Sequence, residues 1–188
     1  MDHALRHEQE APAPTRRQLT DTRSVSLPVA PAVAFGPIRE IGGEDGWYFA
    51  NALWRLRGLV DLCFGGPGPW RRRHELNDLA PGQVIDAWRV EAFEPDRLLH
   101  LRAEMKLPGQ AWLRFDVEPV ESGSMIRQTA VFHPAGIAGL LYWYILLPVH
   151  SVMFRGMLRG IASEVRRREC DTKSTNQDSP EAKRQGIE

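Results

Sequence analysis

Residues 98–117 read LLHLRAEMKLPGQAWLRFDV, and the fold depends on how this stretch turns back on itself. Before the turn, Leu99, Leu101 and Ala103 alternate with His100, Arg102, Glu104 and Lys106; after it, Leu113, Phe115 and Val117 alternate with Arg114 and Asp116. Period-two alternation is the pattern of a half-buried strand, and Leu107-Pro108-Gly109-Gln110 supplies turn chemistry between two of them. The number of turn residues sets the register, because a one-residue slip moves every side chain to the opposite face. An odd loop sets apolar residues opposite apolar ones. An even loop puts His100, Arg102, Glu104 and Lys106 on the face of Leu113 and Phe115, burying several charges at great cost. The odd loop is expected; the even one would make Glu104 and Lys106 pocket residues.

Strand patterns at 84–93 and 125–133 flank this hairpin, joined to it by the short turns EPDR and ESGS, so the sheet is read as an antiparallel meander. Closure at Phe93/Leu98 sets Val90 opposite Leu101, Trp88 opposite Ala103 and Asp86 opposite Met105. Closure at Val120/Met125 sets Val117 opposite Gln128, Phe115 opposite Ala130 and Leu113 opposite Phe132. Both give one inward face: Trp88, Val90, Leu99, Leu101, Ala103, Leu113, Phe115, Ala130 and Phe132. Glu91 beside His100 and Glu118 beside Arg127 then pair on the outer face. Upstream, 24–30 reads as a short strand and 45–64 as a helix. Gly65-Gly66-Pro67-Gly68-Pro69 breaks the chain, and 70–76 reads as a further strand. Downstream, 137–168 reads as one long helix, apolar nearly all round in its first half and ending in Arg166, Arg167 and Arg168. No other segment is long enough to cover the inward face. The expected fold class is α+β, a curved antiparallel sheet wrapped around a long C-terminal helix.

The 188 residues carry 24 basic and 24 acidic side chains, a net charge of zero. That length is one domain, and that balance excludes wholesale nucleic-acid binding, which needs clustered positive charge. Cys63 and Cys170 make no disulfide framework, and no cluster has zinc spacing, so no metal and no cofactor are expected. Residues 1–23 and 170–188 are polar and are expected to be disordered tails around a folded domain at 24–169. Without a signal-like apolar run at the start, a cytoplasmic protein is expected. Residues 137–154 approach the length of a membrane span, yet Pro148 and His150 interrupt them and Arg155 closes them. A buried helix kinked at Pro148 is expected rather than a transmembrane span, with a membrane-surface role as the alternative.

Candidate site residues come from the inward face. Trp88, Met105, Phe115 and Tyr144 are the large or flexible apolar groups that would line a cavity between sheet and helix. Gln128 and Asp86 are the polar exceptions there, and buried polar groups need partners. Closure of the preceding hairpin at Leu76/Val84 sets His74 opposite Asp86 and Arg72 opposite Trp88. That makes His74 and Asp86 the one acid–base pair the register suggests, with Arg72 placed for an anionic group. A structural hydrogen bond at a strand end accounts for the same pair. The GGPGP loop lacks the lysine and Ser/Thr of a phosphate-binding loop, and no serine lies in a nucleophile elbow.

The segments IGGEDGWYFANALWRLRGLVD (41–61), GQVIDAWRVE (82–91), LLHLRAEMKLPGQAWLRF (98–115) and FHPAGIAGLLYWYILLPVHSVMF (132–154) give the chain a family likeness. It resembles the domain-of-unknown-function family numbered 2867 (DUF2867), within the START-like (SRPBCC, polyketide-cyclase-like) superfamily. The run EMKLPGQAWL is the most specific part. The resemblance implies a helix-grip fold and a deep cavity that holds an apolar or amphipathic small molecule. It supplies no established catalytic residues. Members also occur behind a Rossmann-type dinucleotide-binding domain, which this sequence does not contain. A non-catalytic partner of a separate dinucleotide-binding oxidoreductase, or a cyclase or isomerase using His74 and Asp86, are therefore the rival expectations. Where the family motif after the glycine loop reads Arg-Gly-Arg-Arg, this chain has Arg71, Arg72 and Arg73.

Overall fold

The computed structural model describes residues 18–42, 46–48 and 79–177, with side chains to residue 171. The helix at 45–64 beyond its first residues, the glycine loop, the strand at 70–76, Cys63, Arg72 and His74 lie outside the described residues.

Six strands form one curved antiparallel sheet: β1 (Leu19–Leu27), β2 (Val84–Ile85), β3 (Trp88–Glu94), β4 (Leu98–Ala103), β5 (Gly109–Val120) and β6 (Gly123–Pro134), in the order β1-β6-β5-β4-β3-β2. A short helix, α1 (Pro31–Arg39), follows β1, and a 42-residue helix, α2 (Gly136–Gln177), closes the chain. A sheet gripping one long C-terminal helix is the helix-grip fold. At 1.5 Å per residue α2 is about 63 Å long. It continues through Pro148.

The loop between β4 and β5 takes the odd register. Leu101 lies opposite Leu113 and Leu99 opposite Phe115, so the charged residues of β4 face outward. Of the nine expected inward residues, eight are buried and Ala103 packs against the core they form. Glu104 ion-pairs with Arg89 on the outer side, away from the apolar face.

Four expectations need correction. The strand at 84–93 is two strands, because Asp86 adopts φ 52° and turns the chain back between Ile85 and Trp88. Asp86 therefore does not pair with Met105; Asp is among the few residues that tolerate this left-handed conformation. The β3–β4 hairpin closes at Glu94/Leu98, with a bulge between Val90 and Ala92 restoring the expected Val90/Leu101 and Trp88/Ala103 pairs. The β5–β6 hairpin closes at Val120/Gly123 instead of Val120/Met125, around the two residues Glu121 and Ser122. Every partner on β6 shifts by two: Phe115 faces Gln128, Leu113 faces Ala130 and Ala111 faces Phe132. A shift of two preserves the face, so the inward set survives. Finally, β1 begins at Leu19 and α2 ends at Gln177, each reaching into a segment expected to be tail. Leu19, Asp21, Arg23, Val25 and Leu27 lie opposite Phe132, Ala130, Gln128, Ile126 and Ser124.

Two glycines set the close packing of the turn in EMKLPGQAWL. Gly109 sits at φ 153°, and a Cβ there would lie 2.3 Å from the His133 carbonyl oxygen and 2.7 Å from the Phe132 ring. A Cβ on Gly139 would lie 2.3 Å from the Pro108 carbonyl oxygen, which already accepts a 2.9 Å bond from the Ala135 amide. The Pro108–Gly109 turn is thus packed backbone to backbone against β6 and the start of α2.

Candidate apolar binding site

Below that junction the sheet and the first half of α2 stand apart. They enclose a cavity of about 290 Å³. Its floor is Trp88, Ala111, Leu113, Ala130 and Phe132, drawn from the inward rows of β3, β5 and β6. Met105 and Leu107, in the loop after β4, form one wall. The roof is Tyr142, Trp143, Leu146, Val149, His150, Met153 and Phe154 of α2.

Aromatic contacts fix the roof. Phe132 stacks on Trp143 with ring centroids 5.7 Å apart and planes at 7°, and His150 stacks on Phe154 at 5.4 Å. Trp143 meets His150 edge-on at 6.3 Å. Small Ala111 and Ala130 beneath these rings leave the space unfilled. On the floor, Trp88 is held by Trp47, whose ring lies 6.0 Å away and whose Nε1–H donates a 2.9 Å bond to Asp86 Oδ2.

A half-buried polar strip lies on the β1 side of the inward face. Arg23 donates from Nη2 to Asp21 Oδ2 (2.8 Å) and to Ser151 Oγ on α2 (3.0 Å). Its cross-strand neighbour Gln128, next along the inward face of β6 from Ala130, is 1% exposed. Neither end of the Gln128 amide has a hydrogen-bond partner among the described residues. Orphaned buried amides cost about 1–3 kcal/mol, so this one needs a partner that the described residues do not supply.

The predicted site residues therefore separate. Trp88 and Met105 line the cavity; Gln128, although buried, does not. Phe115 is fully buried in the core and does not line it; along the inward row of β5 the cavity ends at Leu113. Tyr144 is 55% exposed on the far side of α2; one and two residues away, Trp143 and Tyr142 point inward instead. Asp86 sits in the β2–β3 turn, bonded to Trp47, outside the cavity wall. Arg72 and His74 are not among the described residues. Missed from the sequence were His150, Leu146 and Val149. A helix apolar all round gives no periodic signal for its inward side. Outside this site, burial first and foremost lowers the pKa of His100, on the outer face 3.7 Å from Glu91. Among the described residues no group of three His, Cys, Asp or Glu side chains could hold a metal ion.

A family model described as "Protein of unknown function (DUF2867)" matches residues 14–157. No curated protein matches the chain in sequence. Among solved structures it is similar to a Polyketide_cyc-like protein of Corynebacterium glutamicum, at 14% identity and TM-score 0.44, covering 84% of this chain and 96% of that one. It is also similar to norcoclaurine synthase of Thalictrum flavum, at 11% identity and TM-score 0.45, covering 88% and 98%. Ara h 8.0201 is similar at 15% identity and TM-score 0.46, covering 79% and 98%. At such distances no residue role passes from them to this chain.

Proposed function

The chain belongs to the DUF2867 family, and from that premise we propose that it binds one apolar or amphipathic small molecule in the cytoplasm, between the sheet and the first half of α2. The observation that carries this reading is the composition of the cavity wall. It is predominantly aliphatic and aromatic, with two flexible methionines, Met105 and Met153, and the His150 imidazole among its lining. Water gains little in such a space, whereas apolar ligands enter it readily. Its volume, about 290 Å³, lies just below the roughly 300–1,000 Å³ usual for small-molecule sites, so the ligand is small. Trp88 and Met105 serve as wall residues, while Gln128 and Arg23 lie behind the wall and do not line it. Asp86 acts at one remove, by holding Trp47 against Trp88.

The test is titration with a hydrophobic fluorescent probe. The native protein should bind one equivalent per chain, saturably and competitively with apolar compounds. Ala130→Trp places an indole in the void and should abolish that binding while leaving the circular dichroism spectrum intact. Undiminished probe binding by the folded Ala130→Trp variant would overturn the reading.

A further inference from the structure

The opposite side of the same half-helix is also apolar, and it faces outward. Ile137, Leu141, Tyr144, Ile145 and Val152 are exposed by 77, 57, 55, 69 and 60%. At 100° per residue they fall on one stripe with Pro148. From residue 137 to 152 that stripe is about 23 Å long. Continuing along it, the next residues are Arg155 and Arg159, both exposed and without a carboxylate partner among the described residues. No acidic residue occurs in α2 before Glu164. Exposed patches of this size mark interaction surfaces.

We propose that this stripe seats the protein on an anionic membrane surface, with α2 lying in the interface and not crossing it. By length and composition the helix could cross: its richest 18-residue window has mean hydropathy 1.6. Its other face, however, is committed to the core through Trp143, Met153, Phe154 and Met157, so insertion would strip the sheet of its cover. Lying flat, the apolar stripe reaches the acyl boundary, Tyr144 sits at headgroup depth, and Arg155 and Arg159 meet lipid phosphates. Self-association satisfies the apolar residues but offers Arg155 and Arg159 no opposite charge. Charge therefore favours lipid. Val149 belongs both to the cavity wall and to the exposed surface, at 43%, so the cavity opens at the edge of the docking face.

Docking does not depend on the cavity reading and is tested separately. The full chain is floated with vesicles of phosphatidylcholine alone and of phosphatidylcholine with phosphatidylglycerol. It should float with the anionic vesicles, and less as salt rises. Leu141→Glu with Ile145→Glu should reduce binding by about tenfold or more. Replacing Arg155 or Arg159 by Gln should cost about fivefold each at low salt. These positions are exposed, so the thermal midpoint and probe titration should not change. Absence of flotation with either vesicle overturns the inference. So does a dimer in sedimentation that Leu141→Glu with Ile145→Glu dissolves, since the stripe would then cover a second copy. Probe binding without flotation overturns docking and leaves the cavity standing.

Discussion

The two halves of α2 differ in composition and in use: 14 of the 18 residues at 137–154 are apolar, against 6 of the 17 at 155–171. In residues 137–154 the inward side chains stand over a void and the outward ones meet solvent. In residues 155–171 Met157, Leu158, Ile161, Ala162 and Val165 are buried against the sheet and α1, and the outward face is charged. Ion pairs lock this second half. Arg168 donates from Nη1 to Glu40 Oε1 at 2.8 Å and from Nε to Glu164 Oε1 at 2.7 Å, while Arg167 donates from Nε to Glu164 Oε2 at 2.9 Å. The second half packs tightly as core, whereas the first half divides its side chains between the cavity roof and an exposed stripe.

The sharpest way to break this comparison uses two isoleucines of the helix. Ile161→Ala, at a fully buried site, should cost about 2–5 kcal/mol in denaturant unfolding. Ile145→Ala, 69% exposed, should stay within about 0.5 kcal/mol of the parent. Equal costs at the two positions would show that the halves share the load.

That division was only half legible in the sequence. Alternation in 98–117 decided the loop parity, and parity alone placed nine residues on the correct face. Details that preserve parity were invisible to it: the bulge at β3 and the two-residue shift of β6 both leave the faces unchanged. The start of β1 was hidden because Asp21 and Arg23 occupy inward positions, so the segment reads as polar although its backbone alternates. α1 was hidden by Pro31 and Pro37; the first is at home in the first turn of a helix, where no amide bond is lost. At the site, the floor could be read from strand period. The roof could not, since Tyr142, Trp143 and Tyr144 are chemically alike and only packing decides which face inward.

A smaller effect is expected from the ion pairs. Arg168→Gln should cost about 1 kcal/mol, because both Arg168 and Glu40 keep about a third of their side-chain surface in water. The same cluster gives the protein an acid-sensitive step. Hydrogen bonds from Arg167 and Arg168 hold the Glu164 carboxyl down at about 2, and Arg168 lowers that of Glu40. Carboxyls depressed in the folded state stabilise above their unfolded value of about 4.3 and lose that contribution as pH falls toward the folded value. The thermal midpoint should therefore drop between about pH 4.5 and about pH 2. In Glu164→Gln that drop should be shallower. An unchanged acid profile would remove the cluster from the stability of the second half.

The most direct test of the central claim reads both halves at once through their methionines. Met105 and Met153 line the cavity, Met157 is buried one turn beyond it, and Met125 lies on β6 away from it. With the methionine methyls isotopically labelled, titration with a saturating apolar probe should shift the Met105 and Met153 resonances in a one-to-one complex and leave Met157 and Met125 in place. Shifts at Met157 or Met125 without shifts at Met105 and Met153 would contradict the account.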